Sequence, residues 1–409
     1  MRKTLVLAAA LVIAAGACRR DGASAAASAR SGEPAPLPAP AAAPPAIDPA
    51  LDDLFAFSAG LPGESPAYAD LREEPAWREF ADLAGKGWKD FYAAVLGPMD
   101  AWAAGKLWEA RERAAALFYP FGGPDLSTAQ ALFPGATTTV LMGLEPVGNL
   151  PDLVRSSPEW RAEFFADLGA LTSDFLKRGY FITMRMMDTY TRARVDGALP
   201  VIGFFLKRGG CSVVDVRRLA PDENGGWIET PYERLAKRPH RPYGVRIDYL
   251  RPGDPAPKTV YYFSCDLENK AFTEDSPLHR FFMGLGSMTT FVKSGSYLLH
   301  WSNFSTVRRF ILDRSWFLLQ DDTGISYRVL KNQDWGIRLF GRYATPVKDF
   351  TNVEQMDLRA AYEDPEAKVE PLPFHFGYRW VTRVDNLLLA KRPRRPYKAP
   401  VVKGPPALP

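Results

Sequence analysis

Four acidic residues stand where apolar stretches end. They are Asp125 in "FYPFGGPD", Glu145 in "GLEPVG", and the adjacent Asp321 and Asp322 in "LLQDDTGISYR". Two carboxylates facing one cleft can share the work of hydrolysis, one donating a proton while the other accepts one. The same pair could instead hold a hard cation through its oxygens. Asp125, Glu145, Asp321 and Asp322 are therefore the candidate catalytic residues. A plainer reading stands beside each role: Asp125 is placed to cap a helix starting near Leu126, and Asp-Asp-Thr-Gly is good turn chemistry.

The glycines of "FGGPD" raise a different chemistry. A phosphate cradle points several backbone N–H groups at the anion from a helix N-terminus. A dinucleotide turn needs G-x-G-x-x-G and a P-loop needs G-x-x-x-x-G-K-[ST]; "GGPD" satisfies neither. Pro124 removes one donor, and Asp125 brings negative charge to the place an anion would take. The order strand, glycine turn, helix, strand, acid resembles methyltransferase cores, where an acid ending the second strand binds the ribose of S-adenosylmethionine. Outside the cytoplasm that cofactor is not expected, so the resemblance implies a degenerate fold of this kind without catalysis. No cofactor is expected. His240, His279, His300 and His375 form no HxH or HxxxH pair, so no metal site is expected. A Ser-His-Asp triad lacks the G-x-S-x-G elbow it would need.

The elements that would position these residues follow from the hydrophobic pattern. "ALFYPF" and "TTTVLMGL" are apolar without alternation, as suits strands covered on both faces of a parallel sheet. "LSTAQALF" between them reads as a short helix. Residues 48–115 read as a helical lead-in, with Trp77, Phe80, Trp88, Phe91, Tyr92 and Val95 spaced by three to four; a stripe of that kind is core material. Ser157, Pro158 and Gly179 frame a helix over 158–178. "LPVIGFFLKRGG", "CSVVDVRRL", "YGVRIDYLRP" and "TVYYFSC" read as strands. Helices are expected in "SPLHRFFMGLGSMTTFV", "FSTVRRFILDRS" and "EQMDLRAAYED", and strands in "WFLLQ" and "WGIRLFGRY". The predicted fold class is α/β: a three-layer, Rossmann-like core with a mixed sheet and β-hairpin additions, preceded by the helical segment. Cys211 and Cys265 sit in strand-like runs. They form a disulfide if those strands are neighbours, and two buried thiols otherwise.

The N-terminus speaks to location. Arg2 and Lys3 precede "TLVLAAALVIAAGA", an apolar run too short for a membrane span and suited to a signal peptide. Its end, "AGAC", resembles the lipobox of bacterial lipoproteins, with Ala15 where leucine is usual. The resemblance implies cleavage after residue 17 and lipidation of Cys18, with acyl chains anchoring the protein in a membrane. Arg19 follows, with no acidic residue to argue for inner-membrane retention, so the outer membrane is the expected address. Residues 19–47 are rich in Ala and Pro and poor in large apolar residues, which favours an extended stalk. The domain plan is thus a signal peptide over 1–17, a lipidated cysteine with stalk over 18–47, one globular domain over 48–390, and a basic Pro-rich tail over 391–409.

The chain carries 51 basic and 47 acidic residues, and its 46% apolar and 12% aromatic content is enough for a sizeable core. Losing Arg2 and Lys3 leaves a nearly neutral mature chain, so nucleic acid is not an expected partner. The basic run "AKRPRRPYK" could meet an anionic envelope polymer, or simply be a solvated end. "FYPFGGPD", "GLEPVG" and "LLQDDTGI" together resemble an uncharacterised group of bacterial secreted and lipoprotein sequences, with no activity to carry over. The leading expectation is a lipid-anchored envelope protein that binds or scaffolds, with a membrane and an envelope polymer or protein as partners. The alternative is an envelope hydrolase acting on a glycan or other surface substrate through the paired carboxylates.

Overall fold

Strand β1 (Ala116–Tyr119) lies near the middle of a ten-stranded sheet, and every other strand is placed by reference to it. The structure is a computed structural model describing residues 47–112, 116–222, 226–231, 243–343, 345–346, 348–375, 377–379 and 382–392. The expected signal peptide, Cys18, nearly all of the stalk and most of the basic tail lie outside the described residues, as does His240.

Helix α5 (Leu126–Leu132) returns the chain from β1 to its parallel neighbour β2 (Thr138–Gly143), which pairs in parallel with β6 (Lys258–Ser264). On the other side of β1 lie β7 (Met288–Val292) and β8 (Ser315–Gln320), also parallel. Counted by appearance, these five parallel strands run 3-2-1-4-5, the winding order of a doubly wound sheet. Antiparallel strands extend both edges. β5 (Gly244–Leu250), β3 (Ser212–Pro221) and β4 (Trp227–Pro231) continue outward from β6, while β10 (Asn386–Lys391) and then β9 (Gly336–Gly341) continue from β8.

Helices cover both faces. One face buries Leu117, Tyr119, Leu141 and Phe291 under α1 (Pro49–Ser58), α2 (Pro75–Phe91), α3 (Gly97–Lys106), α5, α6 (Pro158–Arg178) and α8 (Leu199–Arg208), with α4 (Trp108–Glu112) following α3. The other buries Phe118, Val140, Met142 and Leu318 under α9 (Pro277–Gly284), α10 (Ser305–Arg314), α11 (Tyr327–Lys331) and α12 (Met356–Glu363). Alternate residues of one strand thus serve two cores, which explains why β1 and β2 read as unbroken apolar runs. Most of the Trp stripe is core: Trp77, Phe80 and Phe91 are buried, Trp88 and Val95 are partly buried, and Phe57 stacks on Trp77 at 4.7 Å, whereas Tyr92 is exposed. Ser157 caps α6, its hydroxyl accepting from the Trp160 N–H at 3.3 Å, and Gly179 ends it.

Three expectations are corrected. "LPVIGFFLKR" is helix α8 and not a strand; its residues Leu199 to Leu206 are all buried, and a segment apolar on every side carries no period to separate the two forms. "SPLHRFFMGLGSMTTFV" is helical only to Gly284, and its β-branched end forms central strand β7. Cys211 and Cys265 are both buried and free. β5 separates their strands, and the Cys211 end of β3 pairs near Leu250 while Cys265 follows the end of β6 that pairs with Gly244. The two thiols therefore flank opposite ends of the sheet, beyond disulfide reach.

Candidate functional site

The parallel strands β1, β2, β6, β7 and β8 end at the same edge, and the turns following them build the site. After β1 the chain passes Phe121 and Gly123, both left-handed at φ 64° and 58°. The N–H of Gly123 donates to Met142 O at 2.9 Å, and that of Leu126 to Pro124 O at 2.8 Å. With Pro124 carrying none, this turn has little left to offer an anion.

Asp125 is fully buried. It caps α5 by accepting from the Thr128 N–H at 3.2 Å, and it also accepts from the Tyr119 hydroxyl at 2.9 Å. Its charge is met by the buried ammonium of Lys293, which follows β7. Lys293 Nζ also donates to Thr128 Oγ1 at 3.1 Å and to Gly179 O at 2.6 Å, and it sits 5.5 Å from the Phe175 ring centre.

Glu145, two residues past β2, is also fully buried. Tyr262 donates its hydroxyl to the Glu145 carbonyl at 2.9 Å and to Oε2 at 3.3 Å. The carboxyl presses on two glycines: a Cβ on Gly143 would fall 2.0 Å from Oε2, and one on Gly123 would fall 3.5 Å away. Burial raises its pKa, opposed by hydrogen bonds that include the Thr183 and Tyr262 hydroxyls. Glu145 Oε1 has no hydrogen-bond partner, and neither does the nearby Tyr190 hydroxyl on α7 (Thr183–Arg192).

Asp321 and Asp322 follow β8 and are nearly fully buried. Asp321 accepts from the Ser294 N–H at 2.8 Å and from the Thr323 N–H at 3.0 Å, the second being the turn chemistry its sequence advertises. Burial, then the neighbouring Asp322 charge, pushes its pKa up to about 6. Asp322 accepts from Arg379 Nη2 at 3.2 Å, Asn386 Nδ2 at 2.8 Å and the Tyr297 hydroxyl. The two acids border a void of about 10 Å³, room for one water at most.

The four carboxylates thus gather at one sheet edge and fix its loops, and none of them lines the open cavity beside them. That cavity, about 1190 Å³, opens at the ends of β2, β6 and β7. Phe121, Tyr180, Phe181, Phe304, Phe350 and Tyr378 give it aromatic walls, with Asp266, Glu268, Arg379 and Thr183 among its polar groups. Ser294 lines it with a hydroxyl that has no partner. Ser294, Ser296 and Tyr297 are left-handed at φ 53°, 51° and 56°, a strain that persists only where the surroundings impose it. The Asp321 carboxylate holds the Ser294 N–H, while Tyr378 donates to Ser294 O at 2.7 Å.

The sequence reading did not single out Lys293, Ser294, Asp266 or Tyr378. Reading 276–292 as one helix hid the strand end that "KSGS" follows. Among the described residues no group of three His, Cys, Asp or Glu side chains is arranged to hold a metal ion. His375 meets Asp385 at 3.0 Å, and His300 Nε2 is buried without a partner. Comparison of the chain with protein-family models, with curated proteins and with solved structures finds no match.

Proposed function

We propose that the α/β domain is a binding protein whose ligand occupies the aromatic cavity at the strand ends. The observation that carries this reading is the cavity's position beside the turns after β1 and β7, where the sheet's winding reverses. Ligands of doubly wound sheets bind in that crevice, outside the carboxyl ends of the strands. Aromatic walls with a few polar groups suit a ring-bearing molecule with hydroxyl or amino groups. The acids Asp266 and Glu268 and the occupied N–H groups after β1 disfavour a phosphorylated one. In the full chain this domain is held at the bacterial outer membrane by lipid on Cys18, above an Ala/Pro-rich stalk.

The hydrolase alternative is weaker, because none of the four buried acids lines the open cavity where a substrate would sit. The degenerate methyltransferase reading keeps one specific support, since Glu145 does stand at the end of the second strand. Its carboxyl, however, faces the chain's own glycines. Titration calorimetry with adenosine, N-acetylglucosamine and adenosine triphosphate tests the proposal. Saturable binding of one of the first two is expected, with none for the triphosphate. That binding should be lost in the double variant Leu144→Trp/Thr382→Trp, which narrows the cavity from two exposed wall positions. Preference for the triphosphate, or binding unchanged in the double variant, would overturn it.

A further inference from the structure

A second cavity, unrelated to the strand ends, lies along the outer surface of α2 and α6. It encloses about 1160 Å³ and runs from Ala76 and Ala162 to Val95 and Gly179. The part along α2 alone, from Ala76 to Phe91, spans roughly 22 Å by helix rise. Phe80, Phe91 and Phe165 lie beneath it and are already buried; its accessible apolar lining comes from Val95, Leu176, Ala166 and Ala170, the last two exposed. Leu83 on its rim is 64% exposed.

Charge is unevenly placed along this groove. At the α2 flank Lys86 and Asp90 satisfy each other at 2.6 Å. The end near Gly179 carries Lys177 and Arg383, both exposed and with no ion-pair partner among the described residues. With Glu79 exposed on the α2 wall and two cations at the Gly179 end, the groove has the polarity of an anionic single-chain amphiphile whose head lies at the cationic end.

We infer that this groove binds a long-chain fatty acid, with the acyl chain along Leu83, Val95 and Leu176 and the carboxylate at the end that carries Lys177 and Arg383. Burial of methylenes supplies the affinity, at about 0.8 kcal/mol each when fully covered, and the cations fix the direction of the chain. The inference stands independently of the ligand proposed for the strand-end cavity.

Calorimetric titration of the full chain with palmitate, and with hexadecanol as an uncharged control, tests it. Palmitate should bind saturably. The Lys177→Glu/Arg383→Glu variant should weaken palmitate about tenfold, as two exposed charge contacts imply, and leave hexadecanol nearly unchanged. Ala166→Trp/Ala170→Trp, which fills the trough from exposed positions, should abolish binding of both. Leu144→Trp/Thr382→Trp in the other cavity should leave palmitate binding intact. Absence of saturable binding, equal weakening of both ligands by the charge reversal, or loss of palmitate only in the strand-end variant would each overturn the inference. All variants should keep wild-type circular dichroism and urea midpoints, because every altered side chain is solvent-facing.

Discussion

The Asp125 carboxylate and the Lys293 ammonium form an ion pair with about 1% and 2% of their side chains exposed, joining the turn after β1 to the end of β7. Residue 294, next in the chain, donates its N–H to Asp321 at 2.8 Å. Three of the strand-end turns are therefore tied together by two adjacent residues.

Removing one partner of such a pair leaves a buried charge uncompensated. Lys293→Met should cost about 3–5 kcal/mol in urea unfolding. Adding Asp125→Asn, which keeps the oxygen that caps α5, should restore part of that loss. A double-mutant cycle measures the coupling; additive losses would show that the pair does not act as a unit.

Burial raises the pKa of Glu145, and Asp321 moves from the ordinary 3.8 to about 6. In the interval between unfolded and folded values the folded chain binds more protons, so these two groups make stability fall as pH rises. Their contribution is fully present below about 4 and, for Asp321, gone above about 6. Glu145→Gln should therefore stabilise the protein more at pH 7.5 than at pH 4.5, measured by urea unfolding at both. An equal effect at the two pH values would contradict the raised pKa.

Much of this arrangement was legible in the sequence, and the limits have physical causes. Asp125 as a helix cap, the Asp-Asp-Thr-Gly turn and the Trp77 stripe follow from local chemistry, which a sequence displays. The three layers followed from unbroken apolar strands. Helix α8 did not, because burial on all sides erases the period that marks a helix. The Asp125–Lys293 pair was hidden because its members are 168 positions apart and only the parallel pairing of β1 with β7 brings them together. The cavity was invisible for the same reason: its aromatic walls come from segments that no local pattern connects.

Cys211 and Cys265 should resist iodoacetamide in the folded protein, since burial raises the pKa of both thiols and the thiolate is the reactive form. After unfolding without reductant, both should be alkylated, as intact mass would show. Failure to react until a reductant is added would reveal a disulfide.

Lipid attachment at Cys18 predicts that protein extracted from bacterial membranes lacks residues 1–17 and carries added acyl mass at its new N-terminus. Cys18→Ser should move the protein to the soluble fraction, because the remaining chain then lacks the acyl chains that would hold it in a bilayer. An unmodified Cys18 in membrane-extracted protein would contradict the expected anchor.

The account rests most directly on what occupies the strand-end cavity. A crystal structure of the chain soaked with whichever of adenosine and N-acetylglucosamine binds more tightly is the decisive measurement. The predicted result is density between Phe121 and Tyr378, with a ligand hydroxyl or amine within hydrogen-bond reach of Ser294 Oγ. Density confined to another surface, or an empty cavity at saturating ligand, would contradict it.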